Sequence, residues 1–299
     1  MIKVHISQGL PSLIISTPNK DERIIDDDSQ TRYRSAVGSI LYLVKISRPD
    51  LSNISRELSK VMMKCTSFHY SLLLRALKYI EKTIFYGIYY NPKDKINLSN
   101  NTNKLWELSI FSYSDWACDT QTRKSVSGWE SFLNNCIISW GSRGQKTISQ
   151  RSTEAEIVAQ NEAVRDILFS KQVIEFLEIN MEYPITLYCD NTGANFLANN
   201  FESRRTKHLD IKHLFLRDLI VDKVIRTKYV KSDNNKADPF TKNVSEKIFL
   251  RLYDYLKSSE TDDDNVIVYD INFVLKKTNS VICVQLNSPL SDELIYGTN

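Results

Sequence analysis

The sequence predicts an α/β protein, with an α+β arrangement in which a small helical domain precedes a mixed sheet flanked by helices. Residues 32–86 contain three successive runs of apolar side chains at helical spacing. After residue 105, runs typical of strands alternate with runs typical of helices, as expected for a sheet covered by helices. A stretch rich in Asn and Lys at 91–104 separates the two parts, so we place the domain boundary there.

The helical part begins after 31 polar, weakly periodic residues that predict a loop and a strand remnant. Its three helical runs are "YRSAVGSILYLV", "RPDLSNISRELSKVMM" and "YSLLLRALKYIEKTIFYG". The second run carries a proline near its first turn and the third ends at a glycine, which are the usual residues at these two helix positions. We therefore predict one helical segment over residues 32–90.

The sheet part begins with three strand-like runs, and a tight "NN" turn joins the second to the third. An antiparallel meander is the simplest arrangement of these strands. The predicted strands are 105–114, 126–133, 136–140, 185–189 and 225–230, and the predicted helices are 152–177, a short one after residue 190, 209–221 and one from about Asn235. Residues 246–299 are predicted to hold a C-terminal helix and a tail with two β-rich runs that we leave unassigned.

Composition narrows the class of protein. Hydrophobic residues make up 42% and charged residues 25% of the 299 residues, which is ordinary for a globular chain. No apolar run approaches the roughly 18 residues that cross a bilayer, and the N-terminus does not read as a signal peptide. The five cysteines show no CxxC or zinc-like spacing. We expect an intracellular protein without a membrane partner.

Positive charge is concentrated in one segment. Residues 203–231 contain nine Lys or Arg and three Asp, whereas the whole chain has a net charge of only +3. The segment is either a surface that faces phosphates or a solvated helix face. His208 and His213 could bind phosphate when protonated or could simply be packed or surface histidines. The residues that we predict to contact nucleic acid are Arg205, Lys207, His208 and Lys212 here, and Arg123, Lys124 and Ser125 in "TRKSVSG".

Four acidic residues stand where a predicted strand ends or a predicted helix begins: Asp115, Glu156, Asp190 and Asp238. Carboxylates that converge from such places could hold two divalent ions about 4 Å apart, and oxygen ligands favour Mg²⁺ or Mn²⁺ over zinc. Three of these positions also have a structural alternative. Glu156 follows Thr153 at capping-box spacing, Asp190 could cap a turn, and Asp238 precedes a proline as a helix N-cap often does.

Seven strings occur in the order and approximate spacing of the C-terminal part of copia-type retrotransposon Pol polyproteins, which this chain therefore resembles. They are "YRSAVGSILYL", "RPDLS", "DWACDTQTRKSVSGW", "STEAEIVAQNEA", "YCDNTGA", "RTKHLDIKHLFLRDLI" and "KADPFTK". Residues 1–90 resemble the end of the reverse transcriptase region, with 32–90 similar to its thumb or connection, and residues 105–245 resemble its ribonuclease H (RNase H) domain.

The resemblance implies an RNase H-like fold with a five-stranded mixed sheet. It also implies hydrolysis of the RNA strand of RNA·DNA hybrids by two Mg²⁺ or Mn²⁺ ions. Glu156, Asp190 and Asp238 would be the metal-binding and catalytic carboxylates, and a reverse transcriptase polymerase domain would be a partner. The location that the resemblance implies is the cytoplasm, a virus-like particle or the nucleus.

One position departs from the family pattern. Relatives read "YSDxDWAxD" where this chain reads "FSYSDWACD", so Tyr113 stands in place of the first Asp and Asp115 matches the second. Residues two apart share a strand face but lie about 6.6 Å apart, so Asp115 can be a surrogate ligand only if the strand slips by two residues. We expect impaired cleavage. The alternative is a non-catalytic nucleic-acid-binding protein, or a domesticated or decaying transposon remnant.

A polymerase active site is not expected in this chain. No "YxDD"-type pair of aspartates occurs, and the two Asp triplets at 26–28 and 262–264 lie in predicted polar loops.

Overall fold

The computed structural model describes residues 14–84, 86–88, 105–199, 210–252, 256–258, 271–274 and 283–286. Its first helix, α1 (Asp27–Ile46), begins earlier than the apolar pattern predicts. The side chain of Asp26 caps the helix by accepting a hydrogen bond from the Ser29 backbone N–H at 2.9 Å. Two residues of the first Asp triplet therefore lie in a helical turn, where negative charge is favourable, and not in a loop.

The second and third helical runs form a 3₁₀ turn (Pro49–Leu51), α2 (Ser52–Ser59), α3 (Ser67–Lys82) and a short strand, β1 (Tyr86–Ile88). A buried ion pair between Arg48 and Asp50 ties these elements together, with the nearest atoms 2.8 Å apart. Arg48 also donates to Thr83, and the Tyr79 hydroxyl donates to Asp50 at 2.9 Å. The "RPD" string thus fixes the packing of α3 against the start of α2.

The central sheet confirms the predicted fold class. Its strands are β2 (Leu108–Asp115), β3 (Val126–Leu133), β4 (Cys136–Gly144), β5 (Ile185–Cys189) and β6 (Ile225–Tyr229), in the order β4-β3-β2-β5-β6. The first three form an antiparallel meander, and β5 and β6 are parallel to β2. Asn134 and Asn135 have φ of 47° and 66° in the turn between β3 and β4, which is the left-handed conformation that asparagine tolerates.

Helices cover both faces of this sheet. The long helix α4 (Ser152–Phe176) shares a core with side chains such as Ile110 and Leu187, as does α6 (Asp210–Val221), and α5 (Thr192–Asn199) packs beside them. On the opposite face, Phe132 and Phe240 share one core with the helical segment, including Tyr33. The helical segment and the sheet are therefore packed together, and the boundary in residues 91–104 stays a prediction because that stretch lies outside the described residues.

The predicted helix from Asn235 is wrong. Two 3₁₀ turns (Ser232–Asn234 and Asp238–Phe240) occupy this stretch, and α7 (Glu246–Leu252) begins later. The Asn235 side chain explains the difference, because its amide donates to the Ser112 carbonyl at 2.9 Å and its oxygen accepts from the Ala237 N–H at 3.1 Å. Such side-chain bonds to the backbone compete with helix formation and attach the turn to β2.

Two small sheets complete the described chain. Strand β7 (Leu256–Ser258) pairs with β1, and β8 (Ile271–Val274) pairs with β9 (Cys283–Leu286), all antiparallel. The last pair falls on the two β-rich runs of the tail. Across the described residues, every helix is either too short or too polar to span a bilayer.

Candidate active site

Glu156 lies near the start of α4 and is 5% exposed. Its Oε1 accepts a hydrogen bond from the Ser114 backbone N–H of β2 at 3.1 Å. The helix begins at Ser152 with Arg151 at the N-cap, so Thr153 lies inside the helix and does not form the capping box that its spacing allows. The buried carboxylate is therefore directed toward the sheet.

Asp190 directly follows β5, but it does not cap the next helix. That role belongs to Asn191, whose side-chain oxygen accepts from the Ala194 N–H at 2.9 Å. Ligand atoms of Glu156, Cys189 and Asp190 all lie within 4.8 Å of one another. These three side chains form a group that could hold a divalent ion.

Cys189 is the member of this group that the sequence prediction missed. Its thiol is 3.7 Å from Glu156 Oε2, within reach of a weak hydrogen bond, and it is fully buried. The sequence predicts a buried small side chain for most of the cysteines. The one signal for a site role is that Cys189 ends the strand immediately before Asp190.

The pKa of Glu156 is strongly raised. Burial first, and then the charge of the nearby Asp190 carboxylate, raise it to about 8, while the Ser114 N–H and the Cys189 thiol oppose the shift. A carboxyl with this pKa is mostly protonated at pH 7. A bound cation would remove the repulsion and favour the ionised form.

The Asp238 carboxylate forms an ion pair with a lysine of the same chain. Lys242 Nζ lies 2.8 Å from Asp238 Oδ1 and donates to the Tyr113 hydroxyl at 3.1 Å. The ammonium also lies 4.9 Å from the centre of the Tyr113 ring. Burial, together with the charges of Asp190 and Asp115, raises the pKa of Asp238, and Lys242 lowers it. Lys242 therefore connects the predicted ligand Asp238 to Tyr113 of β2.

The turn that carries Asp238 packs tightly on β3 at Gly128. A Cβ atom at this glycine would lie 2.7 Å from the Ala237 carbonyl oxygen and 2.8 Å from Thr241 Cγ2. Gly128 pairs with Tyr113 across the β2–β3 ladder. The absence of a side chain at residue 128 thus allows the Asp238 turn to approach Tyr113.

Asp115 lies two residues beyond Tyr113 on the same face of β2, because buried and half-buried residues alternate strictly along this strand. Its ladder with β3 is continuous from Leu108 to Asp115. Among the described residues, neither Asp115 nor Asp238 belongs to the group formed by Glu156, Cys189 and Asp190. Burial raises the pKa of Asp115, partly offset by Lys242 and Arg56.

The predicted nucleic-acid contacts differ in exposure. Arg123 is exposed, with a left-handed φ of 56°, and Lys124 is half-buried. Ser125 is buried, and its hydroxyl accepts a hydrogen bond from the Ala117 N–H at 3.0 Å, so it supports the loop from within. Arg205, Lys207 and His208 lie outside the described residues, as does the side chain of Lys212.

Comparison with known proteins places the chain in a family. No family profile matches it. The Pol polyprotein of transposon RE2 from Arabidopsis thaliana is 32% identical over 220 residues, which cover 73% of this chain and 14% of that protein. RE1 from the same plant gives the same values, and the Pol of TNT 1-94 from Nicotiana tabacum is 28% identical over 214 residues. The chain belongs to the copia-type retrotransposon Pol family. It spans only 14–15% of the length of these relatives.

Solved structures were also compared with this copia-type Pol chain. LC11-RNase H1, isolated from compost, is 12% identical, with a TM-score of 0.34 over 45% of this chain and 91% of that one. The same enzyme in complex with an RNA/DNA hybrid gives a TM-score of 0.35. A foamy viral protease-reverse transcriptase in complex with double-stranded DNA gives 0.25 over 73% of this chain and 36% of that one.

Proposed function

We propose that this copia-type Pol chain binds RNA·DNA hybrids through its RNase H-like domain, and that two-ion hydrolysis of the RNA strand is impaired by Tyr113. The observation that carries the proposal is the contact of Lys242 with both Tyr113 and Asp238. It places a fixed positive charge beside the residue that stands where relatives have an aspartate.

The donor set fits one divalent ion. Glu156 and Asp190 offer carboxylate oxygens within 4.8 Å of each other, which suits Mg²⁺ or Mn²⁺. Such an ion, when bound, would polarise a phosphodiester and lower the pKa of a bound water. These two carboxylates would hold and orient it, while the adjacent Cys189 thiol, whose pKa is raised by burial, would stay protonated.

A second ion does not fit the arrangement around Asp238. Lys242 already neutralises this carboxylate at 2.8 Å. Tyr113 offers a phenol whose pKa is raised to about 12, chiefly by burial, so it is neutral at physiological pH and a poor ligand for Mg²⁺. Hydrolysis that needs two bound ions is therefore disfavoured at this site.

The same ion pair supports a second candidate, a hybrid-binding protein without cleavage, which includes a domesticated or decaying transposon remnant. The Lys242 ammonium would neutralise the Asp238 carboxylate in place of a catalytic metal ion, so the fold would keep its charge balance without the ion.

We also propose that the partner is the polymerase part of a copia-type reverse transcriptase and that the location is intracellular.

The test is a cleavage and binding assay on an end-labelled RNA·DNA hybrid with Mg²⁺ or Mn²⁺. We expect salt-sensitive binding with weak cleavage, cleavage abolished by Asp190→Asn, and cleavage raised by Tyr113→Asp combined with Lys242→Met. Tyr42→Asp, which alters a partly exposed tyrosine of α1, is the control for adding an aspartate. Binding without any cleavage, also in the double variant, would favour the second candidate, and no hybrid binding would contradict both.

A further inference from the structure

An exposed aromatic side chain lies directly beside the candidate site. Trp116 follows Asp115 at the end of β2 and is 46% exposed. Its indole Nε1 donates a hydrogen bond to the Ser149 carbonyl at 3.0 Å, which fixes one edge of the ring. Ile148, next to that carbonyl, is 58% exposed. A large apolar surface is thus held in place and remains accessible to solvent.

Buried hydrogen bonds join this surface to the candidate site. The Ser149 hydroxyl donates to the Gln145 side chain at 3.4 Å. The Gln145 amide in turn reaches the Ser114 hydroxyl on β2 and, at 2.9 Å, the Ala155 carbonyl in α4. Ala155 precedes Glu156, and Ser114 precedes Asp115. The hydrogen bonds that hold Trp116 therefore involve the same segments of β2 and α4 that carry Asp115 and Glu156.

Cations lie in the two loops that carry Trp116 and Ile148. They are Arg123, Lys124, Lys146 and Arg151, and none forms an ion pair within the described part of the chain. The acidic side chains of the same loops are engaged elsewhere. Asp119 pairs with Lys60 at 3.1 Å, and Glu154 accepts from the Gln150 N–H at 2.8 Å. The surface therefore combines an aromatic face with unpaired positive charge, which complements a polyanion with apolar rings.

From this surface we propose that Trp116 packs against a sugar in the minor groove of the RNA·DNA hybrid, with Arg123, Lys146 and Arg151 contacting the flanking phosphates. This inference rests on the proposed function and identifies a subsite for the same substrate. The bases of a duplex are stacked on one another, so the sugars are the apolar rings that a protein can reach. The minor groove of an A-like helix is wide and shallow enough to admit a side chain.

The experiment measures hybrid binding with EDTA present, so that no strand is cut. Trp116→Ala is expected to weaken binding roughly tenfold, or about 1.4 kcal/mol, because it removes the apolar surface that packs against the sugar. Trp116→Phe should retain most of the affinity. Phe176→Ala, which removes an 86% exposed aromatic ring at the far end of α4, is the matched control and should have no effect.

The salt dependence of binding and tryptophan fluorescence separate the contributions of the phosphate contacts and of Trp116 to hybrid binding. The salt dependence of binding should be unchanged in Trp116→Ala, whereas Lys146→Gln should reduce its slope by about one ion. Hybrid should also quench a tryptophan emission that Trp116→Phe lacks. Hybrid binding with unaltered affinity in Trp116→Ala would overturn this inference and leave the proposed function standing. An equal loss of affinity for single-stranded RNA would overturn the minor-groove contact, and no hybrid binding by the wild-type chain would overturn both proposals.

Discussion

Lys60 of α2 and Asp119 of the loop after β2 form an ion pair, with Nζ and Oδ2 3.1 Å apart. The same aspartate accepts hydrogen bonds from the backbone N–H groups of Gln121 and Thr122. Gln121 in turn bonds to Thr17, so α2 and the stretch before α1 both hold this loop. The loop carries Arg123, and its shape therefore depends on residues outside the sheet.

We predict that Lys60→Met weakens hybrid binding by loosening this loop, and that it also lowers stability because Lys60 pairs with the buried Glu57, with Nζ and Oε1 2.9 Å apart. The coupling between Lys60 and Asp119 alone should be about 0.2–1 kcal/mol, the range for exposed ion pairs. A double-mutant cycle with Asp119→Asn, measured by urea unfolding and by hybrid titration, should show coupling between the two residues in the free energy of unfolding and in that of hybrid binding. Lys64→Met, which removes an exposed charge from the same segment, is the control. Additive effects of Lys60→Met and Asp119→Asn would contradict the prediction.

Gly128→Ala should destabilise the protein and displace the Asp238 turn. The new Cβ atom would approach the Ala237 carbonyl oxygen to 2.7 Å, which the backbone must relieve. Overpacking of this kind costs about 1–3 kcal/mol, and thermal unfolding measures it. Gly38→Ala is the matched control, because no atom lies within 4 Å of its added Cβ and alanine favours the helix α1 by about 0.5–1 kcal/mol. Equal melting temperatures for Gly128→Ala and wild type would refute the expected clash.

Glu156→Gln should change how stability depends on pH. The folded pKa of about 8 lies above the ordinary value of 4.5, so between these values the folded protein keeps a proton that the unfolded chain has lost. Wild-type stability must therefore fall as pH rises through this window and level off above it. The glutamine variant lacks this loss, so its advantage should grow between pH 5 and pH 8.5.

Urea unfolding at several pH values, without divalent ions, measures this difference. Glu175→Gln serves as the control, because the pKa of this exposed carboxyl is lowered by its hydrogen bonds to Lys171 and Tyr183 and should give no loss at alkaline pH. A wild-type stability that is flat or rises between pH 5 and pH 8.5, relative to Glu156→Gln, would show that Glu156 ionises normally.

Lys242→Met should increase the number of divalent ions bound. Removal of the ammonium 2.8 Å from Asp238 leaves that carboxylate without its cation. Calorimetric titration with Mn²⁺ at pH 8 is expected to give one ion for the wild type and a second, weaker one for the variant. An alkaline pH is needed because loss of Lys242 raises the pKa of Asp238 further. Lys231→Met is the surface control, and identical stoichiometry in the variant and the wild type would count against the assigned role of Lys242.

The sheet could be predicted from the sequence because its signals are local. Alternation along β2 and the paired asparagines before β4 specify strands and a turn within a few residues. The sequence does not indicate the start of α1, since its cap, Asp26, lies in a run of polar residues without helical periodicity. The sequence also predicts a helix at the Asp238 turn, because the bond from Asn235 to Ser112 that opposes this helix joins distant parts of the chain.

The sequence predicts two carboxylates of the candidate group, but it does not predict the ion pair at Asp238. Glu156 and Asp190 follow from strand and helix ends together with the family resemblance. The bond between Lys242 and Tyr113 spans 129 positions in sequence, and nothing in either neighbourhood indicates it. Trp116 was likewise overlooked, since its exposure depends on how the Ser149 loop folds over it.

The pairing of β1 with β7 has a topological consequence. Backbone hydrogen bonds between Tyr86–Ile88 and Leu256–Ser258 join the chain just before it enters the five-stranded sheet to the chain after it leaves. The sheet is thus an insertion between two adjacent strands. A single proteolytic cut between β1 and β2 would break the covalent path but leave the pieces attached through this ladder and the core around Phe132 and Phe240. A pulling force on β7 would likewise reach the helical segment, through β1, before it reached Glu156 and Asp190.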